Sequence, residues 1–285
     1  MALNNRYDFV MLFDVEYGNP NGDPDAGNSP RIDVESGYGF VTDVCIKRKI
    51  RNYVELAMAG QPGYNILIKP DRSLNAKFTA AYEAEGLATK NKNKNTDDIK
   101  KARDYMCRNY YDVRTFGAVM STGDDPCGIV RGPVQINFAR SVSPVNPLDV
   151  TITRQARTTD ERTETGETEI GKKSVIPYAL YRAEGYVSAA LANNVTNLSE
   201  ADLELLWKAI VNMFENDHSA ARGKMCMRKL YVFKHSNVLG DCPSNILFDK
   251  IHVKESGNVP PRAFDDYQIT VDTTMPQGVE LIEKL

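Results

Sequence analysis

Long apolar runs are missing from this chain of 285 residues. No stretch of about 18 residues is continuously hydrophobic, which excludes a membrane-spanning helix. The opening MALNNRY lacks a basic segment followed by an apolar one. No secretory signal is therefore expected, and the expected location is the cytoplasm. Cysteine is sparse. The five, at positions 45, 107, 127, 226 and 242, form no CxxC pair and are odd in number, so reduced thiols are expected rather than a disulfide framework. Histidine is scarcer still. His218, His235 and His252 contain no HxxxH spacing, so a zinc site would have to be gathered from scattered ligands, and general bases are few. An excess of positive charge is also lacking, with 35 basic against 38 acidic residues and a net charge of −3. The usual basic footprint of a nucleic-acid-binding domain is absent. Any such role must rest on where the charges sit rather than on their sum.

What is present is ordinary globular composition, 42% hydrophobic and 26% charged, enough for one large domain or two small ones. Phe9, Met11, Phe13 and Val15 alternate with Val10 and Leu12, which predicts a strand over 6–18 buried on both faces. A Gly-, Pro-, Asn- and Asp-rich loop follows over 19–39. Thr42 or Asp43 then caps a helix to about Ala59, stopped by Gly60 and Pro62. Its apolar stripe is Ile46, Ile50, Tyr53, Val54 and Ala57, and the helical period sets Lys47, Arg48 and Arg51 on the opposite arc, with Lys49 on the other flank.

Residues 64–69 read as a short strand. Residues 69–108 carry ten basic and six acidic residues, an inserted polar subdomain with a mobile-looking tip over 90–101. Core-like sequence returns over 112–120, and 128–142 reads as a strand with a Gly-Pro irregularity. Residues 151–173 are almost wholly polar around Gly166 and suggest a protruding hairpin. A core strand over 174–193 comes next. Ser199, with Asp202 three residues on, then starts a helix with a capping box. Strands are expected over 228–234, 246–253 and 267–271. With the polar insertions set aside, the order is strand, helix, strand, strand, helix, strand, the α+β, ferredoxin-like pattern of RNA-recognition domains.

Most candidate chemistry fails on inspection. Gly166, Gly171 and Lys172 match a phosphate loop, but Lys173 stands where Ser or Thr should hold magnesium, and Pro177 interrupts the helix that should follow. Asn21, Asp23 and Asp25 resemble the start of a calcium loop, but its sixth and twelfth positions are Ala26 and Ile32. A divalent site from Asp23, Asp25 and Asp33 remains as an alternative. The arc of Lys47, Arg48 and Arg51 is different, because two cations one turn apart can touch successive phosphates of a strand crossing the helix.

Several ordered blocks carry a family resemblance: Asn-Pro-Asn-Gly-Asp at 19–23, TDVCIKRKIR at 42–51, DVRTFG at 112–117, GPVQ at 132–135 and IPYALYRAEG at 176–185. In these the chain resembles the repeated backbone subunit of the type I CRISPR Cascade complex, most closely its subtype I-C form. The resemblance implies one RNA-recognition-type palm with a finger subdomain inserted over 61–111 and a thumb β-hairpin over 146–176. It also implies copies stacked head to tail on a CRISPR guide RNA, beside other Cascade subunits. The guide pairs with target DNA and a recruited nuclease cuts, so the subunit itself is expected to be no enzyme and to need no cofactor. Carried over residue by residue, the RNA contacts implied are Lys47, Arg48 and Arg51 on the helix and Arg154, Gln155 and Arg157 at the thumb base. Asn21 and Arg31 in the loop, and Arg131 and Gln135 beside the irregular strand, complete the set. Two other readings compete with this one: a metal-dependent ribonuclease like type III backbone subunits, using the loop aspartates, and a protein-only scaffold.

Overall fold

A computed structural model describes residues 2–90, 94–154, 169–257 and 260–285. Strand β1 (Tyr7–Gly18) is buried along almost its whole length, as its double-sided alternation requires. The following loop is not bare. It contains β2 (Gly22–Asp23), a 3-10 turn at Pro24–Ala26 capped by Asp23, and β3 (Ser29–Pro30), then runs into β4 (Tyr38–Val41). Helix α1 (Asp43–Ala57) starts on Thr42, whose hydroxyl accepts from the Cys45 amide at 3.3 Å.

The stretch 64–69, expected as a strand, forms only an isolated bridge between Asn65 and Tyr110. Its backbone donors are taken by a side chain instead: the Leu67 and Ile68 amides donate to the Asp112 carboxylate. The polar, lysine-rich insertion is helical. Helices α2 (Leu74–Ala84) and α3 (Thr96–Asn109), capped by Ser73 and Asn95, are followed by α4 (Tyr111–Phe116). With strands β5 (Gly117–Met120) and β6 (Gly128–Arg131) they enclose a core of their own around Phe78, Tyr82, Met106 and Val130. Part of the expected tip falls on 91–93, outside the described residues. The Lys90 amide beside it donates to Asp125, and Lys94 pairs with the same carboxylate at 2.9 Å.

The irregular strand over 128–142 resolves into β6, β7 (Val134–Ile136) and β8 (Ala139–Pro144), broken at Gly132-Pro133 and at Asn137-Phe138. Two strands follow, β9 (Leu148–Arg154) and β10 (Glu169–Val187). They pair antiparallel from Arg154↔Glu169 to Leu148↔Val175, the two arms expected of a hairpin. Helix α5 (Glu200–Asn212) carries the expected capping box between Ser199 and Asp202. Strand β11 (Lys224–His235) follows. The strand expected over 246–253 begins only at Ile251. Pro243 stands at the N-cap of a short helix, α6 (Ser244–Phe248), before β12 (Ile251–Glu255), and its missing N–H leaves one fewer amide to satisfy at the helix start. β13 (Tyr267–Val271) and β14 (Val279–Glu283) complete the chain.

The main sheet runs β14-β11-β1-β10-β8-β4 and its pairs are antiparallel. Because β1 is central, its two faces build two cores. Phe9, Met11 and Phe13 meet α1 and α5 on one face, with Phe9 edge-on to Trp207 at 5.3 Å. Val10 and Leu12 meet α6 and the β12–β13 hairpin on the other. All five cysteines are unpaired thiols.

Two of the sequence blocks meet backbone on backbone. Gly117 has φ +79°, and a Cβ on Gly132 would lie 2.1 Å from the Phe116 carbonyl carbon and 2.2 Å from the Gly117 nitrogen. Only hydrogens fit there, so DVRTFG and GPVQ are coupled by contact. Gly132→Ala is expected to cost about 1–3 kcal/mol or more from overpacking, read as a lower thermal midpoint. A midpoint equal to the parent's would contradict the contact.

Candidate nucleic-acid interface

The N-terminal half of α1 collects most of the expected contact residues. Asn21 accepts from both the amide and the hydroxyl of Thr42 at 3.0 Å. It thus ties the loop to the residue that caps the helix. The Arg31 amide donates to the Asn21 carbonyl at 3.2 Å, and the Arg31 guanidinium lies 3.5 Å from Asp23. Both loop residues therefore stand at the start of α1.

One turn on, Lys47 pairs with Asp43 at 2.9 Å and sits 5.6 Å from the centre of the Phe116 ring. Phe116 is the residue whose backbone touches Gly132, so GPVQ is the next neighbour. Arg131 pairs with Gly117 across β5–β6, and Gln135 donates to the Gly132 carbonyl at 3.1 Å. Arg131 and Gln135 are both exposed. Lys47 and, from a distant part of the chain, Arg131 and Gln135 thus gather around the Phe116-Gly117-Gly132 junction.

The expectation of a three-cation arc on α1 holds in part. Arg48 is exposed and has no acidic partner among the described residues. Arg51 is buried instead. Its Nε donates to Asp112 at 2.9 Å, and its guanidinium lies 5.3 Å from the Phe116 ring. The helical period did place Arg51 away from the main stripe, but α4 covers that side. Lys49, expected on a flank, is buried against Asp217, which also receives Arg222 and Asn52. Burial pulls the Lys49 ammonium below the ordinary lysine range.

Sequence reasoning missed the second role of DVRTFG. Asp112 binds one cation and two backbone amides. Arg114 reaches Asp202 at 2.7 Å and stacks on Tyr64 and Tyr111. Through these two residues α4 is clamped to α1, to the 67–68 backbone and to α5. Burial alone would raise the Asp202 pKa, but the hydrogen bond and charge of Arg114, with the Ser199 donors, outweigh it and hold the carboxyl below its usual range. A lowered folded pKa contributes stability above the unfolded value of about 3.9 and loses it as pH falls through the folded one. Asp202→Asn is therefore expected to flatten the loss of stability below about pH 4. Urea midpoints across a pH series would read this out, and parallel acid limbs in parent and variant would refute it.

Two of the three loop aspartates serve the loop, while Asp25 is exposed. Asp23 caps the 3-10 turn and pairs with Arg31. Asp33 accepts from the Ser36 hydroxyl and the Glu35 amide, which hold its carboxyl below the ordinary range. Among the described residues no group of three or more His, Cys, Asp or Glu is placed to hold a metal ion. The phosphate-loop match is equally unsupported where it is described, because Gly171 to Lys173 lie within β10. Arg154 ends β9, while Gln155 and Arg157 lie outside the described residues.

A protein of Haloferax volcanii described as CRISPR-associated protein Cas7 is 26% identical over an alignment of 232 positions that covers 74% of this chain and 66% of that protein. The chain thus spans just under two thirds of that relative's length. A chain of a solved CRISPR RNA-guided surveillance complex, pre-nicking, superposes with a TM-score of 0.50 at 18% identity, covering 80% of this chain and 75% of that one. A second CRISPR RNA-guided surveillance complex gives 0.47 at 14% identity, covering 80% and 68%. The first of these likenesses is one of fold, a mixed α/β architecture on a large antiparallel sheet. Residues 5–272 match the family described as CRISPR-associated protein Cas7, and the chain belongs to that family.

Proposed function

We propose that this chain is a guide-RNA-binding subunit that repeats head to tail along CRISPR RNA. Stacked copies form the backbone of an antiviral, DNA-targeting complex of the type I Cascade class, most like subtype I-C. The family match over 5–272 carries the reading. The convergence of Lys47, Arg131 and Gln135 on one junction, with Arg48 open beside them, supports it. The protein grips backbone and shape while the guide reads sequence by pairing with target DNA, so an acidic subunit with a local basic patch suffices.

In this reading the sheet is a ferredoxin-like palm, supported by the order β11-β1-β10-β8 with α1 and α5 on one face. Residues 61–111 act as the finger and 146–176 as the thumb. The chain itself is non-catalytic and cytoplasmic. Other Cascade subunits join the stack, and cutting belongs to a nuclease that the complex recruits. The commitment of Asp23 and Asp33 to their own turns supports a non-catalytic role over a ribonuclease.

The test is co-expression with a CRISPR array. RNA of one defined length should co-purify, and nuclease treatment should shorten the particles. Long oligomers that survive without nucleic acid would overturn the reading in favour of a protein-only scaffold. Incubating the loaded complex with complementary RNA and magnesium tests the non-catalytic part, and periodic cuts would refute it.

A further inference from the structure

On the face of the sheet away from α1, at its β4 edge, lies a cavity of about 440 Å³ lined by Tyr38, Phe138, Arg140, Arg182, Glu184 and Val253. Its volume falls within the ~300–1,000 Å³ of small-molecule sites. Its walls are built for flat, anionic material. Phe138 is 56% exposed. Its ring is nearly parallel to Phe40, at 3° and 6.2 Å. The Arg140 guanidinium stacks 4.1 Å over Tyr38.

The charge balance is one-sided. Arg182 is neutralised by Glu184 at 2.9 Å and fixed by the Phe248 and Ile251 carbonyls. Arg140 has no carboxylate partner among the described residues. Asp33 lies within reach of its charge, but its oxygens are bonded by Ser36 and Glu35 rather than by the guanidinium. One cation without an ion pair therefore stands beside exposed, preset π-faces. Tyr38 and Phe40 come from β4, which ends the sheet, and Arg140 from its partner β8. Residues 31–33 bond the outer side of β4, through the Ile32–Gly39 bridge and the Asp33 and Phe40 amides, so the surface left open is the face that carries Tyr38, Phe138 and Arg140.

We propose that this surface binds single-stranded nucleic acid, a strand other than the one held at α1. Bases stack on Phe138, and a phosphate meets Arg140. Aromatic platforms with a neighbouring cation bind single strands without reading sequence, because every base has a π-face. The sheet separates this patch from α1, so the two contacts serve different strands or distant parts of one.

The test uses the purified complex carrying its guide and fluorescent dT20 and rU20 that do not pair with the guide. Phe138→Ala with Arg140→Ala should weaken oligonucleotide binding about 5- to 150-fold, the range of one lost stacking contact. Guide content and particle mass should stay as in the parent. Phe138→Leu, which keeps the apolar bulk and removes the π-face, should also weaken binding and guards against misfolding. A preference for dT20 or rU20 identifies the strand as DNA or RNA. Affinity within twofold of the parent, or no binding by the parent, overturns the proposal. So does loss of the guide, which would make this a guide contact, or a shorter particle, which would make it a contact between copies. If no guide co-purifies at all, the same titration on the RNA-free protein still reads this surface separately from the proposed function.

Discussion

Asp112→Ala is expected to lower stability by about 3–5 kcal/mol, the cost of removing one partner from a buried ion pair. The carboxylate is almost wholly buried and holds Arg51 Nε at 2.9 Å, the Leu67 amide at 2.8 Å and the Ile68 amide at 3.1 Å. Its removal strands a buried guanidinium and two backbone donors at once. No strand ladder stands ready to take those amides, since 64–69 forms only a single bridge. At about 2–4 °C per kcal/mol for a domain of ~150–250 residues, the thermal midpoint should fall by roughly 6–20 °C. Asp112→Asn retains an acceptor and should lose less. An alanine variant that melts within about 2 °C of the parent would refute the clamp, since a single kcal/mol already moves the midpoint that far.

The second large effect is on RNA. Lys47→Ala with Arg48→Ala should remove two phosphate contacts. For a single strand the slope of log affinity against log salt should fall by about 1.4, a loss of roughly 25-fold near ~0.1 M salt. Lys47 must leave Asp43 to make its contact. The pair is largely shielded, with side chains 12% and 26% exposed, so the exchange replaces a carboxylate by a phosphate and keeps the ammonium paired. Filter binding or anisotropy across a salt series measures the slope, and an unchanged slope would remove both residues from the interface. Arg51→Ala makes the contrast. With its guanidinium committed to Asp112, its loss should appear first in the melting midpoint. The pair of measurements separates grip from scaffold on one helix.

The two effects belong together. Exposed Arg131 and Gln135, with Arg48 exposed on α1, lie around a junction that buried charge holds in place. Asp112, Arg114 and Asp202 set α4. Then α4 sets Phe116, and Phe116 with Gly117 sets Gly132. A strand gripped without base readout needs its contacts at fixed spacing, and a backbone-on-backbone seam gives less play than side-chain packing.

Much of this fold is local and therefore legible in residue order. The double-sided alternation of β1, the Thr42 cap, the α1 stripe of Ile46, Ile50 and Val54, and the Ser199–Asp202 capping box all act within a few residues. Periodicity and capping chemistry report them directly. The short helix at Ser244–Phe248 was missed although its signal is local, but other misreadings trace to remote partners. Residues 64–69 have strand composition, but the carboxylate that takes their amides lies 45 residues away from Leu67. The same distance problem governs the cations of α1. Lys47, Arg48, Lys49 and Arg51 are alike in residue type and lie within two turns. Which of them face solvent was decided by Asp112, 61 residues from Arg51, and by Asp217, 168 residues from Lys49. A charge on this helix is locked away where folding brings a remote, buried countercharge to it, as Asp112 and Asp217 do, and that is a property of the packed chain, not of the helix that carries the charge.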